Sequence, residues 1–152
     1  MEDVIQLGVL YVKEGNYREG FRLLKDAMEK FHEKSPQEVP AKLQSYYGLC
    51  LAVHNHDIKG GLEHCRMALK REFFQPDLHL NLGKVYLKAN QTASAVHIFY
   101  KGLKLDDGHA GILSELRKLG IRETPVIRFL PRGHFINRIL GQLRYRMKSS
   151  RK

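Results

Sequence analysis

Apolar residues recur at intervals of three and four along most of the first 120 positions, a spacing that places them on one face of an α-helix. Three short segments that favour turns interrupt the pattern: Gly15-Asn16, Asn55-His56-Asp57 and Asp106-Asp107-Gly108. The pattern therefore predicts an all-α fold built from consecutive helices. The predicted ranges are 1–14, 17–33, 36–54, 58–72, 76–90, 92–105 and 109–119.

The start of the third helix carries the strongest local signal. Ser35 is followed by Pro36 and, three residues after Ser35, by Glu38. A serine that caps the helix, a proline in the first turn and an acidic residue at the third helical position together form a capping box. The sequence therefore predicts that this helix begins at Ser35-Pro36 and ends near His54.

One short motif occurs three times in the chain. It reads Leu7-Gly8-x-x-Tyr11, then Tyr47-Gly48-x-x-Leu51, then Leu82-Gly83-x-x-Tyr86. A helix that follows each motif carries a small, a bulky and a second small residue. These are Gly20, Leu24 and Ala27, then Gly61, Cys65 and Ala68, then Ala95, Phe99 and Gly102. Self-similarity at a fixed period predicts a stack of repeated helical hairpins.

A glycine inside a helix costs about 1 kcal/mol relative to alanine, so three glycines at matching positions need a structural reason. The small residues of the following helix suggest one, because two helices can approach closely only where both carry small side chains. We therefore expect each repeated glycine to contact the second helix of its own hairpin.

These residues resemble the tetratricopeptide repeat, whose pattern has Leu-Gly and Tyr on its first helix and Ala, Phe and Ala on its second. The resemblance covers repeats at about 1–34, 41–75 and 76–109, with a capping helix at 110–119, so that the repeat domain spans 1–120. It implies a right-handed superhelical stack of three hairpins whose first helices line a concave groove. Tryptophan, typical of the family, is replaced by Val4, Gln44 and His79.

The resemblance also indicates which side chains face the groove. Some family members hold a terminal carboxylate there with Lys and Asn, but the first two helices here offer apolar or short side chains. An apolar groove favours the apolar face of a partner helix. An alternative is that some of these residues belong to the core between repeats. The predicted groove residues are Ile5, Val9, Val12, Lys42, Ser45, Leu49, Leu80, Asn81, Lys84 and Lys88, with Glu2, Ala52 and Asp77 on the same faces.

The net charge of +10 is concentrated in residues 121–152, which hold nine of the 26 basic side chains and a single acidic one, Glu123. Prolines at 125 and 131 predict an extended segment over 121–133. Apolar spacing then predicts a basic amphipathic helix over 134–148. Its predicted contact residues are Phe135, Ile136, Arg138, Ile139, Leu140, Leu143, Arg144 and Arg146.

Three interpretations of this tail stay open. It can fold into the groove of its own chain or against a second copy, since soluble monomers seldom expose large apolar patches. It can bind a partner protein or an anionic membrane surface. It can contact nucleic acid through its arginines, although the chain contains no recognised nucleic-acid-binding motif.

The sequence gives little indication of a catalytic or metal-binding site. His54 and His56, with His64 and Cys65 nearby, form the single candidate metal cluster, and solvated turn histidines explain them better. The two cysteines, Cys50 and Cys65, fall on apolar helix faces, which predicts buried free thiols. No catalytic set, phosphate loop or cofactor motif is present in the sequence.

The location of the protein is predicted from the same sequence. Acidic residues stand where a signal peptide would carry positive charge, and no apolar run is long enough to cross a bilayer. We therefore expect a cytoplasmic protein, which can lie at the surface of a membrane if its tail binds lipid.

The sequence therefore predicts a non-enzymatic adaptor that binds a protein or peptide through an apolar concave groove, without cofactor or metal. The alternative function is binding of a membrane surface or of nucleic acid through the basic C-terminal helix, with the repeats as a platform.

Overall fold

Seven helices and no β-strand make up the part of the chain that the computed structural model describes, residues 1–34 and 38–120. The all-α prediction is confirmed. The helices are α1 (Glu2–Lys13), α2 (Tyr17–Lys34), α3 (Ala41–Val53), α4 (Ile58–Arg71), α5 (Pro76–Lys88), α6 (Thr92–Leu103) and α7 (Ala110–Lys118). Helices α1, α3 and α5 are called the first helices below, and α2, α4 and α6 the second helices.

Consecutive helices pack as three hairpins, α1 with α2, α3 with α4 and α5 with α6. Each later hairpin also packs on the one before it: α3 contacts α2 and α1, and α5 contacts α4 and α3. These helices and the first half of α7 belong to one compact unit, Met1–Ser114. A second unit, Glu115–Lys152, is described only over its first six residues, where Lys118 Nζ donates to Glu115 Oε1 at 2.8 Å.

The predicted start of the third helix at Ser35-Pro36 is wrong, because α3 begins at Ala41. Residues 35–37 lie outside the described residues. Pro40 has an extended backbone (φ −58°, ψ 136°), and a proline also disfavours helical geometry in the residue before it, here Val39. Val39 is buried, and its carbonyl accepts a hydrogen bond from Arg71 Nη1 at 2.6 Å. The extended geometry that Pro40 imposes and the burial of Val39 therefore outweigh the local capping signal, and α3 begins only after Pro40.

Close approach of the two helices within a hairpin is clearest in the second hairpin. A Cβ atom added to Gly48 would lie 2.9 Å from the carbonyl oxygen of Gly61, and one added to Gly61 would lie 2.7 Å from that of Gly48. Both clashes involve backbone, which cannot move aside as the end of a side chain can. The close contact between the two backbones therefore explains why both positions are glycine.

The hydrophobic core runs along the stack between the first and second helices. It contains both cysteines, which are buried and form no disulfide, as predicted. Burial raises the pKa of each thiol to about 12, so neither ionises at neutral pH. The buried members of the largest core cluster are Ile5, Val9, Val12, Leu24, Ala27, Met28, Val39, Leu43, Tyr46, Leu49, Cys50, Ala52, Cys65, Leu82, Val85 and Ile98.

The substitution Gly48→Ala tests the close approach. The added methyl group must displace the backbone at Gly61, so we expect the free energy of unfolding to fall by about 1–3 kcal/mol despite the better helix propensity of alanine. Urea denaturation followed by circular dichroism measures it. Gly108→Ala is the control, since its added Cβ would meet only Asp106 Oδ1 at 3.6 Å and should change stability by less than about 0.5 kcal/mol. Equal stability of Gly48→Ala and the original chain would contradict the account.

Candidate functional site

The first helices and the start of α7 surround a cavity of about 310 Å³. Apolar side chains form part of its wall, and lysine, histidine, tyrosine, asparagine and aspartate side chains form the rest. The lining residues are Val12, Lys13, Tyr46, Leu49, Asp77, Leu80, Asn81, Lys84, His109, Ala110 and Gly111.

Helical spacing explains how α5 contributes four of these side chains. Asp77, Leu80, Asn81 and Lys84 follow one another at intervals of three, one and three residues, which keeps them on one face of the helix. Pro76 begins α5, and Asp77 lies in its first turn, where the positive end of the helix dipole favours a carboxylate. The apolar and polar sides of the cavity therefore meet along a single helix face.

The Asp77 carboxylate joins three hairpins and the loop before α7. Its Oδ2 atom accepts hydrogen bonds from Lys13 Nζ of α1 at 3.0 Å and from the Tyr46 hydroxyl of α3 at 3.2 Å. Its Oδ1 atom lies 3.1 Å from His109 Nε2. Because His109 Nδ1 accepts a hydrogen bond from the backbone amide of Ile112 at 3.3 Å, Nε2 carries the proton and donates to Asp77.

These contacts determine the protonation of the Asp77 and Tyr46 side chains. Burial alone would raise the pKa of Asp77, but the hydrogen bond and positive charge of Lys13, together with the hydrogen bond from His109, outweigh burial and hold that pKa below its ordinary value. Burial raises the pKa of Tyr46 far above its ordinary value, and the neighbouring Asp77 charge raises it further. At neutral pH Asp77 is therefore an anion that accepts, and Tyr46 a neutral phenol that donates.

A second polar contact, fully buried, joins α5 to α3. Asn81 Nδ2 donates to Ser45 Oγ at 3.1 Å, and both residues are buried. The Ser45 carbonyl also accepts from Cys65 Sγ at 3.3 Å. These groups hold the wall of the cavity in place, because breaking one would leave a buried polar atom without a partner.

The ten predicted groove residues fall into two groups. Five of them line the cavity: Val12, Leu49, Leu80, Asn81 and Lys84. The remaining five do not. Ile5 and Val9 belong to the hydrophobic core, and Ser45 is buried against Asn81. Lys42 donates a hydrogen bond to Gln6 Oε1 at 2.9 Å. Lys88 is exposed in the last turn of α5.

Three further polar side chains line the cavity that were not predicted from the sequence: Lys13, Tyr46 and His109. Lys13 could have been predicted, because it lies four residues after Val9 on the same helix face. Tyr46 stands beside the repeated Tyr47-Gly48 pair, and neither the motif nor the repeat resemblance singles it out. His109 belongs to the loop before α7, and no periodicity places a loop residue in a cavity.

The histidines and cysteines considered for metal binding lie apart from this cavity. His54 and His56 are exposed at the turn after α3, as predicted for turn histidines. His64 packs edge-on against the ring of Tyr47 with centroids 5.1 Å apart, and burial lowers its pKa. Within residues 1–34 and 38–120, no three His, Cys, Asp or Glu side chains come together as metal ligands.

The predicted contact residues of the tail, Phe135 to Arg146, lie outside the described residues. Among the helices that the structure does describe, none combines the length and the apolar character needed to cross a bilayer.

Comparisons with solved structures identify the fold. The first TPR domain of human RPAP3 superimposes with a TM-score of 0.59 at 15% identity, over 77% of this chain and 87% of that one. The crystal structure of MamA superimposes with a TM-score of 0.54 at 17% identity, over 80% and 69%. No model of a known protein family and no curated protein matches the sequence. The three hairpins and the start of α7 therefore have the tetratricopeptide-repeat fold, as the three motifs indicated.

The substitution Asp77→Asn tests the junction between the hairpins. It removes the charge from a partly exposed acceptor of three hydrogen bonds, so we expect the free energy of unfolding to fall by about 1–2 kcal/mol at pH 7. The folded state lowers the pKa of Asp77, so its contribution is present above the unfolded value near 3.9 and disappears as the pH falls through the folded value.

The difference between the two chains should therefore vanish in strong acid, as measured by urea denaturation at a series of pH values. The control Asp107→Asn changes an exposed carboxylate and should have little effect. A constant difference between Asp77→Asn and the original chain down to strong acid would rule out a role for the charge.

Proposed function

We propose, from the tetratricopeptide-repeat fold, that the chain is a non-enzymatic adaptor that binds a segment of another protein in the groove of its first helices. The single observation that carries the proposal is the cavity between α1, α3, α5 and α7, which combines an apolar wall with fixed polar groups. Binding sites for peptides and small ligands have this composition, since apolar contact supplies affinity and a few polar groups set orientation. The chain shares its fold with the RPAP3 and MamA domains, and stacked helical repeats typically present an extended concave binding surface.

The apolar wall indicates the anchor of the partner segment. Val12, Leu49 and Leu80 come from three successive first helices and line one cavity. A volume of about 310 Å³ accommodates a side chain of the size of leucine or phenylalanine together with part of its backbone. We therefore propose that one aliphatic or aromatic side chain of the partner segment anchors in this cavity.

The charges at the cavity indicate what flanks the anchor. Lys13 and Lys84 line it, and its single carboxylate, Asp77, already accepts hydrogen bonds from Lys13, Tyr46 and His109. Two further lysines lie on the first helices, Lys42 on α3 and Lys88 on α5. A positive rim attracts Asp and Glu side chains and repels a basic segment. We therefore propose a partner segment in which an aliphatic or aromatic residue is flanked by acidic residues.

The positive charges at the cavity also disfavour the chain's own basic tail as its occupant. Residues 121–152 carry most of the net positive charge, so the groove favours an acidic partner over this tail as its occupant. The concentration of charge supports the second candidate function, in which the predicted helix over 134–148 binds an anionic partner or surface while the groove holds a protein segment.

Selection of peptides from a random displayed library against the full chain tests the proposal. We expect the enriched peptides to contain Leu, Ile or Phe beside Asp or Glu. Lys84→Glu should weaken their binding at least about ten-fold, because it reverses a charge at the cavity. Lys59→Glu, which makes the same charge change at an exposed position of α4, should leave binding within about two-fold.

Two results would refute the groove proposal. One is enrichment of basic peptides, which the positive rim should repel. The other is equal weakening by Lys59→Glu and Lys84→Glu, which would show that net charge alone attracts the peptides.

A further inference from the structure

The side chain of His109 caps the N-terminus of α7. Its Nδ1 atom accepts a hydrogen bond from the backbone amide of Ile112 at 3.3 Å, and its carbonyl oxygen accepts from the backbone amide of Leu113 at 3.0 Å. A capping residue makes these two bonds because the first amides of a helix find no carbonyl partner inside the helix. The imidazole ring therefore satisfies the Ile112 amide.

The other nitrogen of the same ring bonds to α5. His109 Nε2 donates to Asp77 Oδ1 at 3.1 Å, and 14% of the His109 side chain is exposed. A neutral imidazole can make both contacts, because one of its nitrogens accepts while the other donates. One ring thus joins the first turn of α7 to the wall of the cavity.

The first turn of α7 packs on the end of the stack and lines the cavity. Ile112 is fully buried, and its Cδ1 atom lies 2.5 Å from the place of a Cβ added to Gly102 of α6. A Cβ added to Gly111 would lie 2.6 Å from Leu80 Cδ2 of α5. Ala110 and Gly111 belong to the cavity wall. The position of this turn therefore determines the shape of the cavity at that end.

Protonation of the His109 ring is incompatible with the cap. An imidazolium carries a hydrogen on both nitrogens and keeps no acceptor, so its Nδ1–H would point at the N–H of Ile112. The positive end of the α7 helix dipole also opposes a cation at this place. Because histidine side chains change charge between about pH 5 and 8, this conflict arises close to neutral pH.

Charged and titratable groups line the cavity beside the ring or precede it in its loop. Besides Asp77, they are Lys13 of α1, Tyr46 of α3, Lys84 of α5 and, in the loop, Asp106 and Asp107. The Asp77 carboxylate is bonded directly to the ring and stays ionised over this range, because its pKa lies below the ordinary value. A proton gained by His109 therefore converts its hydrogen bond with Asp77 into an ion pair while it removes the cap.

We propose that His109 is a pH-sensitive switch for the first turn of α7. The neutral ring holds this turn against the end of the groove, whereas the protonated ring pairs with Asp77 alone and releases the turn. The cavity wall at Ala110 and Gly111 then loosens in mild acid. The consequence for partner binding rests on the proposed function, but the switch itself is measured without a partner. The adaptor function can therefore fail while the switch stands.

A pH titration of the full chain between about pH 8 and 5, followed by NMR spectroscopy of backbone amides and histidine rings, tests the proposal. We expect the Ile112 amide resonance to change in step with the His109 ring resonances. Protection of the Ile112 amide against hydrogen exchange, corrected for the intrinsic effect of pH, should fall at least about three-fold, as expected for loss of a helix cap.

Two substitutions give matched comparisons. His109→Asn keeps a side-chain oxygen that caps a helix and does not titrate, so protection of Ile112 should be the same at both ends of the pH range. His97→Asn removes an exposed histidine of α6 and should keep the full loss in acid. Circular dichroism confirms that both variants fold.

Three results would each overturn the proposal. The first is a His109 ring that stays neutral down to about pH 5. The second is an Ile112 amide that does not respond while the His109 ring titrates. The third is the same loss of protection in acid for His109→Asn as for the original chain.

Discussion

The contact of Gly48 with Gly61 is the constraint on which the rest of the second hairpin depends. With these two residues the backbones of α3 and α4 approach until the carbonyl of one lies under the α-carbon of the other. The close approach brings Tyr47 and His64 into edge contact and buries Cys50 and Cys65 beside them. The same helix, α3, also carries Tyr46 and Leu49, which line the cavity. A propensity cost of about 1 kcal/mol per glycine is therefore offset by packing that no larger residue permits.

The hairpins are joined by polar contacts as well as by apolar packing, and those contacts lie at the cavity. Lys13 reaches Asp77 from the first hairpin to the third, and Tyr46 reaches it from the second. An exposed ion pair such as Lys13 with Asp77 contributes little by itself, whereas the hydrogen bond from the buried Tyr46 hydroxyl to a carboxylate contributes more. One aspartate in the first turn of α5 thus sets the relative positions of helices whose other side chains form the wall of the site. The fixed polar groups are the reason that a partner segment would meet a preformed surface.

The helices and their pairing could be predicted from the sequence because they follow from local periodicity and from a motif present three times. The start of α3 could not, since the signal at Ser35 to Glu38 is local and the outcome depended on Pro40 and on burial of Val39. Among the cavity residues, Leu80 and Lys84 followed from the repeat resemblance, whereas His109 lies in the loop before α7, where no repeat position predicts it. Ile5 and Val9 belong to the same core cluster as Val12 and Leu49, but only the latter two also line the cavity, a difference that repeat counting alone does not reveal.

Methyl NMR spectroscopy of the full chain, titrated with a peptide selected for binding, tests the central claim most directly. If the groove of the first helices is the binding site, the methyl resonances of Val12, Leu49 and Leu80 should shift in a saturable manner and show contacts to the apolar anchor of the peptide. The methyl groups of Leu23 on α2 and Leu62 on α4 should stay unchanged. Shifts confined to second-helix methyl groups, with those of Val12, Leu49 and Leu80 unmoved at saturation, would contradict the account.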